Sequence, residues 1–184
     1  MNSFRGSKVS SLITSALLLT IFPVVLNSSA SDTRKEPWQG IASGHFSVSG
    51  EKIPLKYSFA LLEKDPLDEA ATVISVLLTN YPLSREELDV SSLYSAMKKN
   101  QPGILYKTDT DGKTNYEVIV HPKLEGGGTQ RSGVVAGRME LSKSDANNIA
   151  GEIRDDSKWS SWLSENDFEY AVTVTFKAPL LKSK

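Results

Sequence analysis

The feature that most constrains this chain is a period-two alternation of large apolar residues that recurs along it. At the C-terminal end Phe168, Tyr170, Val172, Val174 and Phe176 occupy every second position. Earlier, Ile53, Leu55, Tyr57, Phe59 and Leu61 do the same. Side chains two apart share one face of a strand, so each run predicts a strand with one buried side. Ile41–Val48 alternates as well, with Phe46 and Val48 set against His45, Ser47 and Ser49, and Gly50-Glu51-Lys52 reads as the turn of a hairpin. Thr72–Thr79 is β-branched and almost continuously apolar, which predicts a central strand buried on both faces.

Further strands are expected at Ile104–Thr108 and Tyr116–His121, joined across Asp111-Gly112, and at Val134–Leu141 with Asn148–Arg154. Glu63–Ala71 and Lys123–Gly133 read as loops, and Asp155–Asp167 as a polar stretch carrying Trp159, Trp162 and Leu163. One helix is expected over residues 84–99. Ser84 and Glu87 form a capping box, Val90, Leu93, Tyr94 and Met97 make an apolar stripe, and Pro102-Gly103 ends it. The pattern predicts a mainly β fold: an antiparallel β-sandwich or partly closed barrel with one amphipathic helix.

The first 30 residues have a different character. Arg5 and Lys8 precede an apolar run, Val9–Leu26, which ends in Asn27-Ser28-Ser29-Ala30, with small residues where a signal peptidase reads. The run is interrupted by Ser10, Ser11, Thr14, Ser15 and Thr20, and contains Pro23, so a cleaved signal fits better than a spanning anchor. The expected organisation is a secretory signal over 1–30, a flexible lead-in over 31–40 with Trp38 as its first fixed residue, and one β-rich domain over 41–180. Such a product is periplasmic or secreted and does not span the membrane after cleavage. Loss of Arg5 and Lys8 from 21 basic and 22 acidic residues leaves a formal charge of −3, which offers no field for nucleic acid. The chain has no cysteine, which removes disulfides, thiolate metal sites and thiol catalysis.

No motif for a reactive site is complete. His45 and His121 lie on different strands and read as surface residues. Asp109-Thr110-Asp111-Gly112 resembles the heart of a calcium loop, but that register puts Lys107 and Val118 at the terminal ligand positions. Gly126-Gly127-Gly128 lacks the Lys-Ser/Thr of a phosphate-binding loop. Ser95-Ala96-Met97-Lys98 matches Ser-x-x-Lys without its companion motifs. No cofactor or metal is therefore expected, and no catalytic residue is named. Trp159 and Trp162, three residues apart, either plug the end of a sandwich or form a platform for a sugar or a protein. With Gly127 they are the candidate contact residues of a non-enzymatic binding domain whose partner is an envelope component or protein. A small hydrolase using paired carboxylates and a small-ligand carrier are the alternatives.

Gly44 with Gly50 and Leu55, Val76-Leu77-Leu78-Thr79 with Pro82-Leu83, Gly137, Gly151 and the ending Val174–Pro179 together resemble an uncharacterised family of small exported bacterial β-domains. In place of that family's His-Ala-Tyr-Ala-like segment this chain has Lys56-Tyr57-Ser58-Phe59-Ala60. The resemblance implies an exported β-rich domain and carries over no functional residue.

Overall fold

A computed structural model describes residues 36–64, 71–88, 92–98, 100–109, 114–124, 127–132, 138–160 and 167–183. The signal-like segment falls outside them. The described residues form ten strands: β1 Ile41–Val48, β2 Glu51–Leu55, β3 Tyr57–Lys64, β4 Thr72–Thr79, β5 Gly103–Thr108, β6 Thr114–Val120, β7 Gly128–Ser132, β8 Arg138–Ser144, β9 Asn148–Ser160 and β10 Asp167–Lys182. One short helix, α1, spans Leu93–Ala96. The fold is mainly β, built on a mixed sheet that does not close into a barrel.

The long strand β10 organises it. Residues 170–177 pair antiparallel with β1 on one side, and residues 167–179 pair antiparallel with β9 on the other. Beyond Pro179 the strand changes company: Leu180–Lys182 run parallel to Ala60–Leu62 of β3. Proline has no N–H to give a ladder, which suits it to the point where one set of partners ends. One half of the sheet is therefore β2-β1-β10-β9-β8, and the other runs from the end of β10 through β3, β4, β5 and β6 to β7.

The two halves face each other across the main core. Phe46, Val48, Leu55, Ile153, Tyr170, Val172, Val174 and Phe176 come from the first half, and Val76, Leu78, Ile104, Tyr106 and Ile119 from the second. A second apolar layer lies on the outer face of the β3–β6 half. There Phe59, Leu61, Leu77, Leu105 and Val118 are covered by Leu83, Leu88, Leu93 and Ala96 of the β4–β5 connection. This explains why β4 reads as almost continuously apolar: both its faces are buried, one in each layer.

The alternating run from Ile53 to Leu61 is not one strand. The chain changes halves at Lys56, whose N–H donates to Thr79 O and whose carbonyl accepts from Ala42 N. Leu55 thus enters the main core while Phe59 and Leu61 enter the outer layer. The period continues unbroken through the switch, so alternation alone cannot reveal it.

The predicted helix is much shorter than 84–99. The capping box forms, with Glu87 N donating to Ser84 Oγ and Ser84 N to Glu87 Oε2, but only a turn follows over residues 85–88. Helix α1 then starts afresh from its own cap, Ser92, whose Oγ accepts from Tyr94 N. A serine that bonds its own backbone competes with helix continuation, which divides the segment in two. Leu93 and Ala96 face the sheet, whereas Tyr94, part of the predicted apolar stripe, is 52% exposed. Two further strands depart from expectation: β7 occupies part of the predicted glycine loop, and β9 continues through the polar stretch to Ser160. The lead-in is fixed from Glu36 onward: Gln39 N donates to Glu36 O, Gly40 N to Ser58 O and Trp38 Nε1 to Leu83 O.

Candidate functional site

The candidate site is built around the β1–β2 turn. Ser49 and Gly50 have φ of 47° and 81°, the left-handed geometry of a tight two-residue hairpin. Glu51 and Lys52, read from sequence as part of this turn, already belong to β2. Ser49 N donates to Glu169 O, which ties the turn to the start of β10. Glu169 pairs with Lys158, and the next pair outward is Phe168 with Trp159.

The connection between β6 and β7 reaches the same turn. Its backbone is closed on itself: His121 N donates to Gly127 O, Leu124 N to His121 O and Gly127 N to Leu124 O. Gly127 has φ of 80°, a conformation that suits glycine. Lys123 extends from this loop, its Nζ 3.4 Å from Ser49 O and 3.6 Å from Glu51 Oε2. These links place two of the three predicted contact positions, Gly127 and Trp159, at one end of the domain. Trp162, with the rest of the β9–β10 connection, lies outside the described residues.

His121 is not a surface residue, as its strand position had implied. It sits just past the end of β6, fully buried, its ring edge-on to Phe46 at 5.6 Å and 84°. Nδ1 accepts from Lys123 N at 3.1 Å, so the neutral ring carries its proton on Nε2. Among the described residues Nε2 has no partner. Burial holds the imidazole below its ordinary value of 6.5; Glu51 pulls the other way and Lys123 adds to the lowering. His45 is half-buried on β1, between Pro54 and Thr173 in register, and the two histidines form no common site. No group of three or more His, Cys, Asp or Glu suited to a metal ion occurs among the described residues.

Beneath this end lies a polar cluster that the sequence reading missed. Tyr170 OH donates to Glu117 Oε1 at 2.9 Å and lies 2.8 Å from Tyr106 OH. The single Tyr170 proton is committed to the carboxylate, so Tyr106 donates to Tyr170. All three side chains are buried between the halves of the sheet. The signal was present: Glu117 shares its strand face with Ile119, and Tyr106, opposite it in register, shares one with Ile104. Burial raises both phenols well above 10, with Glu117 adding to the rise for Tyr106, and Tyr106 and Glu117 adding to it for Tyr170. Asp155 contributes in the same direction at Tyr106. The phenols therefore stay protonated as donors, and the sealed carboxylate orders the core; none of the three is placed to attack a polymer.

A second buried charge lies on the outer layer. Lys107 pairs with Glu63 at 2.5 Å, and Ser75 Oγ donates to the same Glu63 oxygen at 2.7 Å. Lys107 Nζ also lies 3.4 Å from Ser92 Oγ, the cap of α1, and 5.7 Å from the Tyr116 ring centre. Through its contact with Ser92, Lys107 ties the cap of α1 to the sheet. Ser95, of the Ser-x-x-Lys match, is an exposed residue of α1. Among the described residues no helix is long and apolar enough to cross a membrane. Comparison with protein-family models, curated proteins and solved structures finds no match to this chain.

Proposed function

We propose that this chain is an exported, non-enzymatic binding domain of the bacterial envelope whose contact region is the end formed by the β1–β2 turn, loop 121–127 and the distal end of β9. The observation that carries the reading is the convergence of Gly127 and Trp159 on one turn, through Lys123 to Ser49 and Ser49 to Glu169. Loops held on a rigid β scaffold are common sites of recognition. The filled interior, with Phe46, Tyr106 and Tyr170 almost wholly buried, favours contact at this end over a ligand enclosed between the sheets. Export rests on the charged, apolar and small-residue order of residues 1–30.

The test is a tryptophan-fluorescence titration of residues 31–184 with soluble peptidoglycan fragments and with an envelope extract. A saturable emission shift that is lost in Trp159→Ala/Trp162→Ala is the expected result. A shift unchanged in that variant removes the two indoles from the contact region, and no shift with either probe removes the proposal.

A further inference from the structure

We propose that His121 is an acid-sensitive latch: when its ring takes up a second proton, loop 121–127 is released from the β1–β2 turn. The geometry leaves the imidazolium no place. Nδ1 accepts the Lys123 N–H at 3.1 Å, and a doubly protonated ring has no acceptor nitrogen, so two donors would face each other. Nε2 meets no acceptor among the described residues, and the ring is buried edge-on against the apolar Phe46. The ring must leave Phe46, and the Lys123 backbone then loses its hold.

Among the described residues the charged groups that bear on the ring are Glu51 from β2 and Lys123 from its own loop; β1 presents the uncharged Phe46. Glu51 gives the displaced imidazolium a destination. It is also the carboxylate that Lys123 reaches, so the two cations compete for it and the clamp between loop and turn weakens. The sign follows from burial. The folded state favours the neutral ring and the unfolded state titrates near 6.5, so loop closure is complete above that value and is lost as pH falls through the lower folded value. The device does not depend on what the end of the domain binds.

The experiment uses residues 31–184 labelled for NMR, with no ligand present. His121 ring signals, backbone shifts and amide protection factors are followed from about pH 7.5 to about pH 5, the range in which histidine switches. The latch predicts that the amides of Lys123, Leu124 and Gly127 shift with the His121 ring. Their protection falls about fivefold or more, the worth of one ordinary hydrogen bond, while β10 amides keep theirs. His121→Asn supplies the control, because an asparagine Oδ1 accepts from the N–H two residues on and does not titrate. Its loop should be indifferent to pH. Titration of the His121 ring with the loop amides unmoved, no change in either down to pH 5, or equal acid sensitivity in His121→Asn would each overturn the latch. If the variant does not fold, the wild-type titration alone decides, because it reads the His121 ring and the loop amides in the same sample.

Discussion

The polar chain between the sheet halves predicts a specific asymmetry between two conservative substitutions. Tyr170→Phe removes a hydroxyl that both donates to Glu117 and accepts from Tyr106. A hydrogen bond to a charged group is worth about 1.5–3 kcal/mol net and a neutral one about 1 kcal/mol, so the loss should be about 3 kcal/mol. Tyr106→Phe leaves the Tyr170 bond to the carboxylate in place and should cost less, about 1 kcal/mol for the neutral bond. Both substitutions keep the ring, so neither opens a cavity large enough to obscure the comparison. Urea unfolding of residues 31–184, followed by circular dichroism, gives both values. At an m of about 1–3 kcal/mol/M, Tyr170→Phe should lower the midpoint by roughly 1–3 M and Tyr106→Phe by a third of that. The double variant should cost less than the two singles combined, because the neutral bond can be lost only once. Equal costs for the two singles, or a Tyr170→Phe cost within about 0.5 kcal/mol of zero, would refute the bonding order assigned to the cluster.

Other substitutions test other parts of the fold by the same assay. Lys107→Met should cost about 3–5 kcal/mol by leaving the buried Glu63 carboxylate without its cation, and adding Glu63→Leu should recover most of that loss. Gly44→Ala should cost at least about 3 kcal/mol, since its φ is +149° and a Cβ there would lie 2.1 Å from Thr173 O. Gly50→Ala, with φ +81° and nothing within 4 Å of a new Cβ, should cost only about 1 kcal/mol. Ser84→Ala should cost about 0.5–1 kcal/mol by removing one side of a capping box that is solvent-exposed.

Much of the β architecture was legible because burial leaves a period in the sequence. β4 begins and ends where its apolar run does, and the β1–β2 and β5–β6 pairs lie close to where alternation and turn residues place them, whereas β8 runs past the expected end at Leu141 to Ser144 and β9 past Arg154 to Ser160. What alternation cannot carry is the identity of the layer a face enters. Leu55 and Phe59 share a period but enter different cores, because Lys56 moves the chain between sheet halves without interrupting the count. The helix was overread because a genuine capping box at Ser84 and Glu87 opens only a turn, while Ser92 restarts the backbone locally and leaves Tyr94 of the expected stripe exposed. β10 extends past Pro179 because its last residues change partners, a long-range event with no local signal. At the site, Gly127 and Trp159 were chosen for composition; that both lie at one end of the domain follows from two links at Ser49, one to the Glu169 carbonyl and one from the Lys123 side chain. His121 escaped notice for a plain reason: a histidine at a strand end reads as solvated until an aromatic neighbour from another strand, here Phe46, closes over it.

The shared end of loop 121–127 and β9 is most directly tested by a single nitroxide. The chain has no cysteine, so Pro122→Cys, at an exposed loop position, takes one label cleanly. Paramagnetic broadening should fall on the amides of Ser49, Lys158, Trp159 and Glu169. It should spare Trp38 and Gly40, which lie at the other end of β1, roughly 30 Å of extended strand away. Broadening of Trp38 and Gly40, with Trp159 and Glu169 untouched, would contradict the convergence on which the proposed contact region rests.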